Sequence, residues 1–280
     1  MLSGTAGRKL VRARGYGRHA SRSGLLKALG RAGLAARGVM YMLIGWIAIQ
    51  IAFGQHGRLA DNSGALRTVA ATPAGHAALW FLAIGFVGLA VWRLAQAAYG
   101  APGPDGRKPA TRLLCLGRAA IYGFVAYSAL RFALGVGAPT SGNRQSVDLT
   151  TTIMRQPGGQ AAVIVAGIAL AGGGLYLAYS TWRREFLKEL QFGQVRPEVR
   201  RLVERLGLVG GIARGVVFAA AGVFLFVAGA HARPSQAKGI DGTLRAFAAT
   251  SFGPWLLVVI AAGLVTFGVY SLCEARWRRV

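Results

Sequence analysis

Six apolar runs set the pattern of this chain: Gly38–Gly54, Ala77–Ala98, Ala119–Val136, Ala161–Trp182, Gly215–Ala230 and Pro254–Cys273. Polar, arginine-bearing stretches separate them. A helix needs about 20 mostly apolar residues to cross the hydrocarbon core of a bilayer. The first, third and fifth runs are short for that task, so their flanking arginines would complete the crossing by snorkelling. Inside lipid every backbone amide needs an internal partner, and a helix supplies one without help from another segment. The pattern therefore predicts an all-α, polytopic integral membrane protein with six transmembrane helices.

The runs repeat in pairs. Each odd-numbered run opens near an arginine followed four residues later by an aromatic: Arg37 with Tyr41, Arg118 with Tyr122, Arg214 with Phe218. Residues four apart share a helix face. Each even-numbered run carries a small residue two before an aromatic: Ala90 with Trp92, Gly174 with Tyr176, Gly268 with Tyr270. Opening arginine and closing aromatic lie 55, 58 and 56 residues apart. In the connections, Leu66-Arg67-Thr68-Val69-Ala70-Ala71-Thr72 matches Leu244-Arg245-Ala246-Phe247-Ala248-Ala249-Thr250 at a constant offset of 178, and Gly75 matches Gly253 at the same offset. The middle copy has drifted to Val147-Asp148-Leu149, Ile153-Met154 and Pro157-Gly158-Gly159. Three tandem helical hairpins, inserted parallel to one another, follow from this. The boundaries are a basic tail at 1–28 and repeats at 29–100, 101–190 and 191–280. Each connection should hold a short amphipathic helix begun by Ser63, Asp148 or Asp241 as N-cap. Gly85-x-x-Gly88, Gly172-Gly173-Gly174 and Gly211-x-x-x-Gly215 offer close helix contacts.

Composition sharpens the class. Only 15% of residues are charged and 54% are hydrophobic, against about 25% charged in soluble domains. A net charge of +24 could point to nucleic acid, but the charges lie between apolar runs, so no nucleic-acid partner is expected. Of the 33 basic residues, 25 fall in the N-terminal tail, the second and fourth connections and the C-terminus, and 7 in the alternate connections. The positive-inside rule puts the heavy side, and both termini, in the cytoplasm. The arginine-, glycine- and alanine-rich usage fits a bacterium with a GC-rich genome, hence the bacterial cytoplasmic (inner) membrane. Residues 1–24 read as a disordered basic tail, each nearby basic residue adding about 1 kcal/mol of attraction to anionic headgroups. Cys115 and Cys273 have no ligand-like spacing and read as small buried side chains.

The recurring Arg-Gly or Arg-Ala with its aromatic (Arg37, Arg118, Arg214) and the Leu-Arg connection (Leu66-Arg67, Leu244-Arg245) resemble the bacterial membrane family known as domain of unknown function 1206. That family is described as a pair of transmembrane helices occurring three times per chain. The resemblance covers about residues 29–279. The middle copy departs from it, with Ala119 where the others have Gly38 and Gly215, and with a degenerate connection. The resemblance implies the architecture and carries no activity.

Candidate chemistry is sparse. Arg131 stands inside the third run, where an arginine costs roughly 2.5–3.5 kcal/mol on insertion scales. It aligns with Gln50, each 13 residues after its opening arginine. The two could line an interior polar path, or Arg131 could snorkel to the nearby helix end. Arg37, Arg118 and Arg214 could bind lipid headgroups at the cytoplasmic interface. The histidines His19, His56, His76 and His231 are scattered, so no metal site or cofactor is expected. No acidic residue lies near the middle of a run, and Asp61, Asp148 and Asp241 sit one per outer connection. The chain is expected to be no enzyme but a scaffold or accessory protein whose partners include anionic membrane lipids. The alternative is a channel or transporter for a small solute or anion along Gln50 and Arg131.

Overall fold

The computed structural model describes residues 24–54, 59–100, 106, 108–136, 141–190, 196–250 and 252–278. Residues 1–23 of the basic tail, with His19, and His56 and Arg58 lie outside the described residues, whereas residues 24–28, placed in the tail by sequence, begin the first helix. Among the described residues nine α-helices follow in order: α1 Gly24–Ala52, α2 Asn62–Ala70, α3 Gly75–Tyr99, α4 Pro109–Ala133, α5 Gly142–Met154, α6 Gly159–Trp182, α7 Pro197–Ala230, α8 Ile240–Ala248 and α9 Gly253–Trp277. Helices α1, α3, α4, α6, α7 and α9 are long and apolar enough to cross a membrane. This is a multi-pass membrane protein.

The odd runs are not short. Helices α1, α4 and α7 begin 10 or more residues before the apolar core, at Gly24, Pro109 and Pro197. Proline at the first helical turn starts α4, α7 and α9, because its missing amide hydrogen would have no intrahelical partner there. Large apolar side chains stay exposed around the bundle, among them Ile168, Leu175 and Val259. Aromatic residues sit at helix ends, with Trp182 at one end and Phe53, Phe252 and Trp255 at the other. That is the distribution a bilayer selects.

Helix pairing crosses the repeat boundaries. The most extensive interfaces join α6 to α7, α9 to α1 and α3 to α4; α9 with α7 and α1 with α3 follow. Helices α4 and α6, the two long helices of the middle repeat, share no such interface. The spatial order is thus α4, α3, α1, α9, α7, α6, with the first and last spans side by side. The three main interfaces use equivalent positions. A Cβ on Gly38 would sit 2.8 Å from the Gly268 carbonyl oxygen, and one on Gly215 would sit 2.9 Å from the Gly174 carbonyl oxygen. In the third interface the corresponding residues, Ala90 and Ala119, are buried. Close backbone approach at small residues maximises dispersion contact where lipid supplies no hydrophobic drive. Gly172 and Gly173 take no part, since a Cβ on either would meet open space.

The short helices cap the far end, and their starts differ from the sequence expectation. Asp61, not Ser63, caps α2 by accepting from the Gly64 amide at 2.9 Å. Ser141 caps α5, which leaves Asp148 in mid-helix. Asp241 lies in the first turn of α8, with Gly239 at the cap position. The physical reason is that these side chains serve the neighbouring repeat. Asp241 accepts from the Ala60 amide at 2.8 Å, Asp61 from Gly142 at 2.7 Å, and Asn143 from Gly239 at 3.2 Å. Each connection therefore hands an oxygen to the next, and the third closes back on the first. The drifted middle connection keeps the geometry of the others. Gly75, Gly159 and Gly253 each donate to a carbonyl three residues back, Thr72, Gln156 and Thr250, at 2.8, 2.9 and 2.7 Å. A Cβ on any of the three would collide with the carbonyl of Val69, Ile153 or Ala248.

Candidate functional site

At the opposite end, where α1, α4 and α7 start and α3, α6 and α9 finish, four arginines turn into the protein. Arg37 is 5% exposed and Arg93 4%. The Arg37 side chain forms an ion pair with Glu274 of α9, and its Nη1 lies 3.5 Å from the Tyr122 hydroxyl of α4. Arg278, just past α9, binds both Glu274 and Glu189. Its other turn is fixed by a backbone bridge between Leu190 and Arg278. Arg93 donates to Gln96 Oε1 at 2.8 Å and, among the described residues, meets no carboxylate.

Aromatic faces organise the guanidinium groups. Arg37 and Arg214 lie on the Phe267 ring, with Cζ at 5.2 and 4.5 Å from its centroid. Arg93 and Arg278 lie on Trp92, at 4.5 and 5.3 Å. Ring quadrupoles attract cations, more strongly when water is excluded. Of the aromatics singled out by sequence, Trp92 and Phe218 face arginines here, whereas Phe267 was not among them. Tyr41 meets Phe267 edge-on, at a centroid distance of 4.8 Å.

The charges do not cancel. Among the described residues, four guanidinium groups face two carboxylates, and both Glu274 oxygens are engaged by arginines. Three buried donors have no hydrogen-bond partner: Nε of Arg37, of Arg93 and of Arg214. A buried donor without a partner costs about 1–3 kcal/mol, and more when charged. The Tyr122 hydroxyl stands in the field of those same three arginines.

Of the residues singled out by sequence, Arg37 and Arg214 come together here. Arg118 is exposed on α4. Gln50 and Arg131 are at the far end, on α1 and α4. Arg131 Nε donates to the Val136 carbonyl at 3.2 Å, just beyond its own helix, and its Cζ lies 5.9 Å from the Tyr127 ring. Sequence reading missed Arg93 and Glu274, and paired Tyr122 with Arg118 rather than with Arg37. Arg93 falls inside the second apolar run and had been counted with the connection that follows. Glu274 stands one residue past the sixth run, four after Tyr270 and four before Arg278. Cys115 is buried with its Sγ 3.9 Å from Gln96 Oε1.

Glu274 is tied to the repeat. It occupies the position of Gln96 in the first copy and Ser180 in the second, each four after the closing aromatic. The interface between last and first repeats alone among these three carries an acid at that place.

Known proteins extend the comparison. The family profile described as Domain of Unknown Function matches three segments, residues 32–100, 114–184 and 209–278. The chain is 29% identical over 257 residues to "Uncharacterized protein YxxB" of Bacillus subtilis (strain 168), covering 91% of this chain and 92% of that protein. No solved structure matches it. With three matched segments that span most of its length, each holding two of the long apolar helices, the chain belongs to the DUF1206 family.

Proposed function

We propose that this protein is a non-enzymatic scaffold or accessory protein of the bacterial cytoplasmic membrane, its basic end in the cytoplasm and in contact with anionic headgroups. The observation that carries the reading is the gathering of exposed basic side chains at one end of six apolar spans. Lys27, Arg112, Arg118, Arg183, Arg201 and Arg205 are all exposed there. A leaflet rich in anionic lipid attracts such a surface by about 1 kcal/mol per basic residue close to it. The far end presents fewer basic groups, and Asp61, Asn143 and Asp241 there are engaged in bonds between connections. A catalytic reading draws little support from Glu274, whose two oxygens are both held by arginines. A channel along Gln50 and Arg131 draws less support than the scaffold, because the Arg131 guanidinium turns to the carbonyl end of its own helix.

The test is lipid retention by native mass spectrometry from mixed micelles of phosphatidylglycerol and an uncharged glycolipid. The wild type should retain phosphatidylglycerol preferentially. Replacing Arg112, Arg118, Arg183 and Arg201 together by glutamine should remove most of that preference. Equal retention of both lipids by the wild type, or an undiminished preference in the variant, would contradict the proposal.

A further inference from the structure

We infer that the buried arginine cluster is an oxyanion site, in which a phosphate-bearing group binds beside the Tyr122 hydroxyl to Arg37, Arg93 and Arg214. It is a separate site from the exposed basic surface, and it stands or falls independently of the scaffold reading.

Three observations converge on it. The cluster carries more guanidinium groups than carboxylates, and Glu274 is already saturated by Arg37 and Arg278. The three orphaned Nε donors belong to Arg37, Arg93 and Arg214, the arginines whose charges bear on Tyr122. They come from three separate helices, α1, α3 and α7, with Tyr122 on a fourth. Such convergence is not what a helix-end snorkel produces, since a snorkelling arginine points away from the bundle. Arg37 and Arg93 are more than nine-tenths buried, out of reach of bulk solvent.

The ligand chemistry follows from the donors. A guanidinium presents parallel N–H groups that match the oxygen pairs of phosphate and carboxylate, and charge-assisted bonds of this kind are the strong ones. Several arginines around one point call for a group with several acceptor oxygens and at least one negative charge, which a phosphate provides. Tyr122 accepts from Arg37, which leaves its own O–H to donate to the same ligand. Phe267 and Trp92 hold the guanidinium planes in place without competing for their hydrogens. The phosphate can come from a lipid headgroup or from free phosphate.

The full chain, purified in uncharged detergent and freed of bound anions, provides the test. In one arm, inorganic phosphate is titrated, with chloride as control, and thermal unfolding is followed. In the other, run on the protein with Arg112, Arg118, Arg183 and Arg201 replaced by glutamine so that the exposed surface does not contribute, retention of phosphatidylglycerol is compared with that of a glucosyl-diacylglycerol, which has no phosphate. Saturable stabilisation by phosphate identifies the free ion; selective retention of phosphatidylglycerol without it identifies a headgroup. Arg93→Gln should weaken either response at least about tenfold, the size of one charge-assisted hydrogen bond. Without ligand, that variant should unfold at or above the wild-type temperature, because it removes an uncompensated charge and leaves the Glu274 pairs intact. Arg155→Gln, on the exposed surface of the opposite end, should leave the response unchanged. If Arg93→Gln does not fold, Tyr122→Phe decides, with several-fold weaker binding expected. No response in either arm, or one that Arg93→Gln and Tyr122→Phe leave at wild-type strength, would overturn the inference.

Discussion

Replacing Glu274 by glutamine should be the most damaging single change at the basic end. The carboxylate is bound by Arg37 and Arg278, and the side chains of Arg37 and Glu274 are each 6% exposed. Glutamine keeps the shape and removes the charge, which leaves the buried Arg37 guanidinium without its counter-ion and Arg278 with Glu189 alone. Breaking a buried pair from one side costs about 3–5 kcal/mol, mostly because the survivor stays charged in a poor solvent for charge. By the scaling seen in soluble domains of similar size, about 2–4 °C per kcal/mol, the melting temperature should fall by roughly 10 °C. Thermal unfolding in mild detergent, followed by tryptophan fluorescence and circular dichroism, measures it. Arg37→Gln alone should cost somewhat less, since Arg278 still serves Glu274. The double variant Arg37→Gln/Glu274→Gln should cost clearly less than the two singles together, because each removes the other's stranded partner. Additive losses, or a Glu274→Gln protein within about 1 kcal/mol of wild type, would refute the reasoning.

Gly45→Val should separate the first and last spans: a Cβ there would lie 2.7 Å from the Ala261 carbonyl oxygen. Its loss of about 2 kcal/mol or more should show in the same unfolding assay, as overpacking does. Asp61→Asn keeps one acceptor and loses the bond from Gly142, so about 1–2 kcal/mol should go. Burial raises the Asp61 carboxyl above the ordinary aspartate range, and the nearby Asp241 adds to this. The folded protein therefore binds that proton more tightly than the unfolded chain. Wild-type stability should rise relative to Asp61→Asn as pH falls through the raised value toward about 3.9, the ordinary one. A pH series on both proteins checks the sign. Arg131→Ala should change stability by less than about 1 kcal/mol, as it loses only an exposed bond to the Val136 carbonyl.

The six spans were legible because a bilayer imposes one demand, length without charge, that each run meets by itself. The repeat was legible for a related reason: Gly75 and Gly253 sit where a turn excludes any Cβ, so the positions persist. Pairing was not legible. The two spans of the first hairpin and of the third do touch, yet the most extensive interfaces join α9 to α1, α6 to α7 and α3 to α4, across repeat boundaries. Small residues mark where a helix allows approach without naming the helix that approaches. Arg93 and Glu274 escaped for another reason. Each stands at the edge of an apolar run, where charge is ordinary, and only the folded chain shows that both turn inward. The N-cap expectation failed at Asp241 because local spacing cannot see that its oxygen is needed by the neighbouring connection, and at Ser63 and Asp148 because Asp61 and Ser141 start those helices earlier.

Orientation of the two ends is the claim on which the rest depends, and labelling in intact bacterial cells tests it most directly. In a background with Cys115 and Cys273 replaced by alanine, single cysteines at Phe252, exposed at the far end, and at Arg183, exposed at the basic end, are treated with a membrane-impermeant maleimide. The account predicts that Phe252→Cys reacts in intact cells and Arg183→Cys only after the cells are opened. Reaction of Arg183→Cys in intact cells, with Phe252→Cys protected, would contradict it.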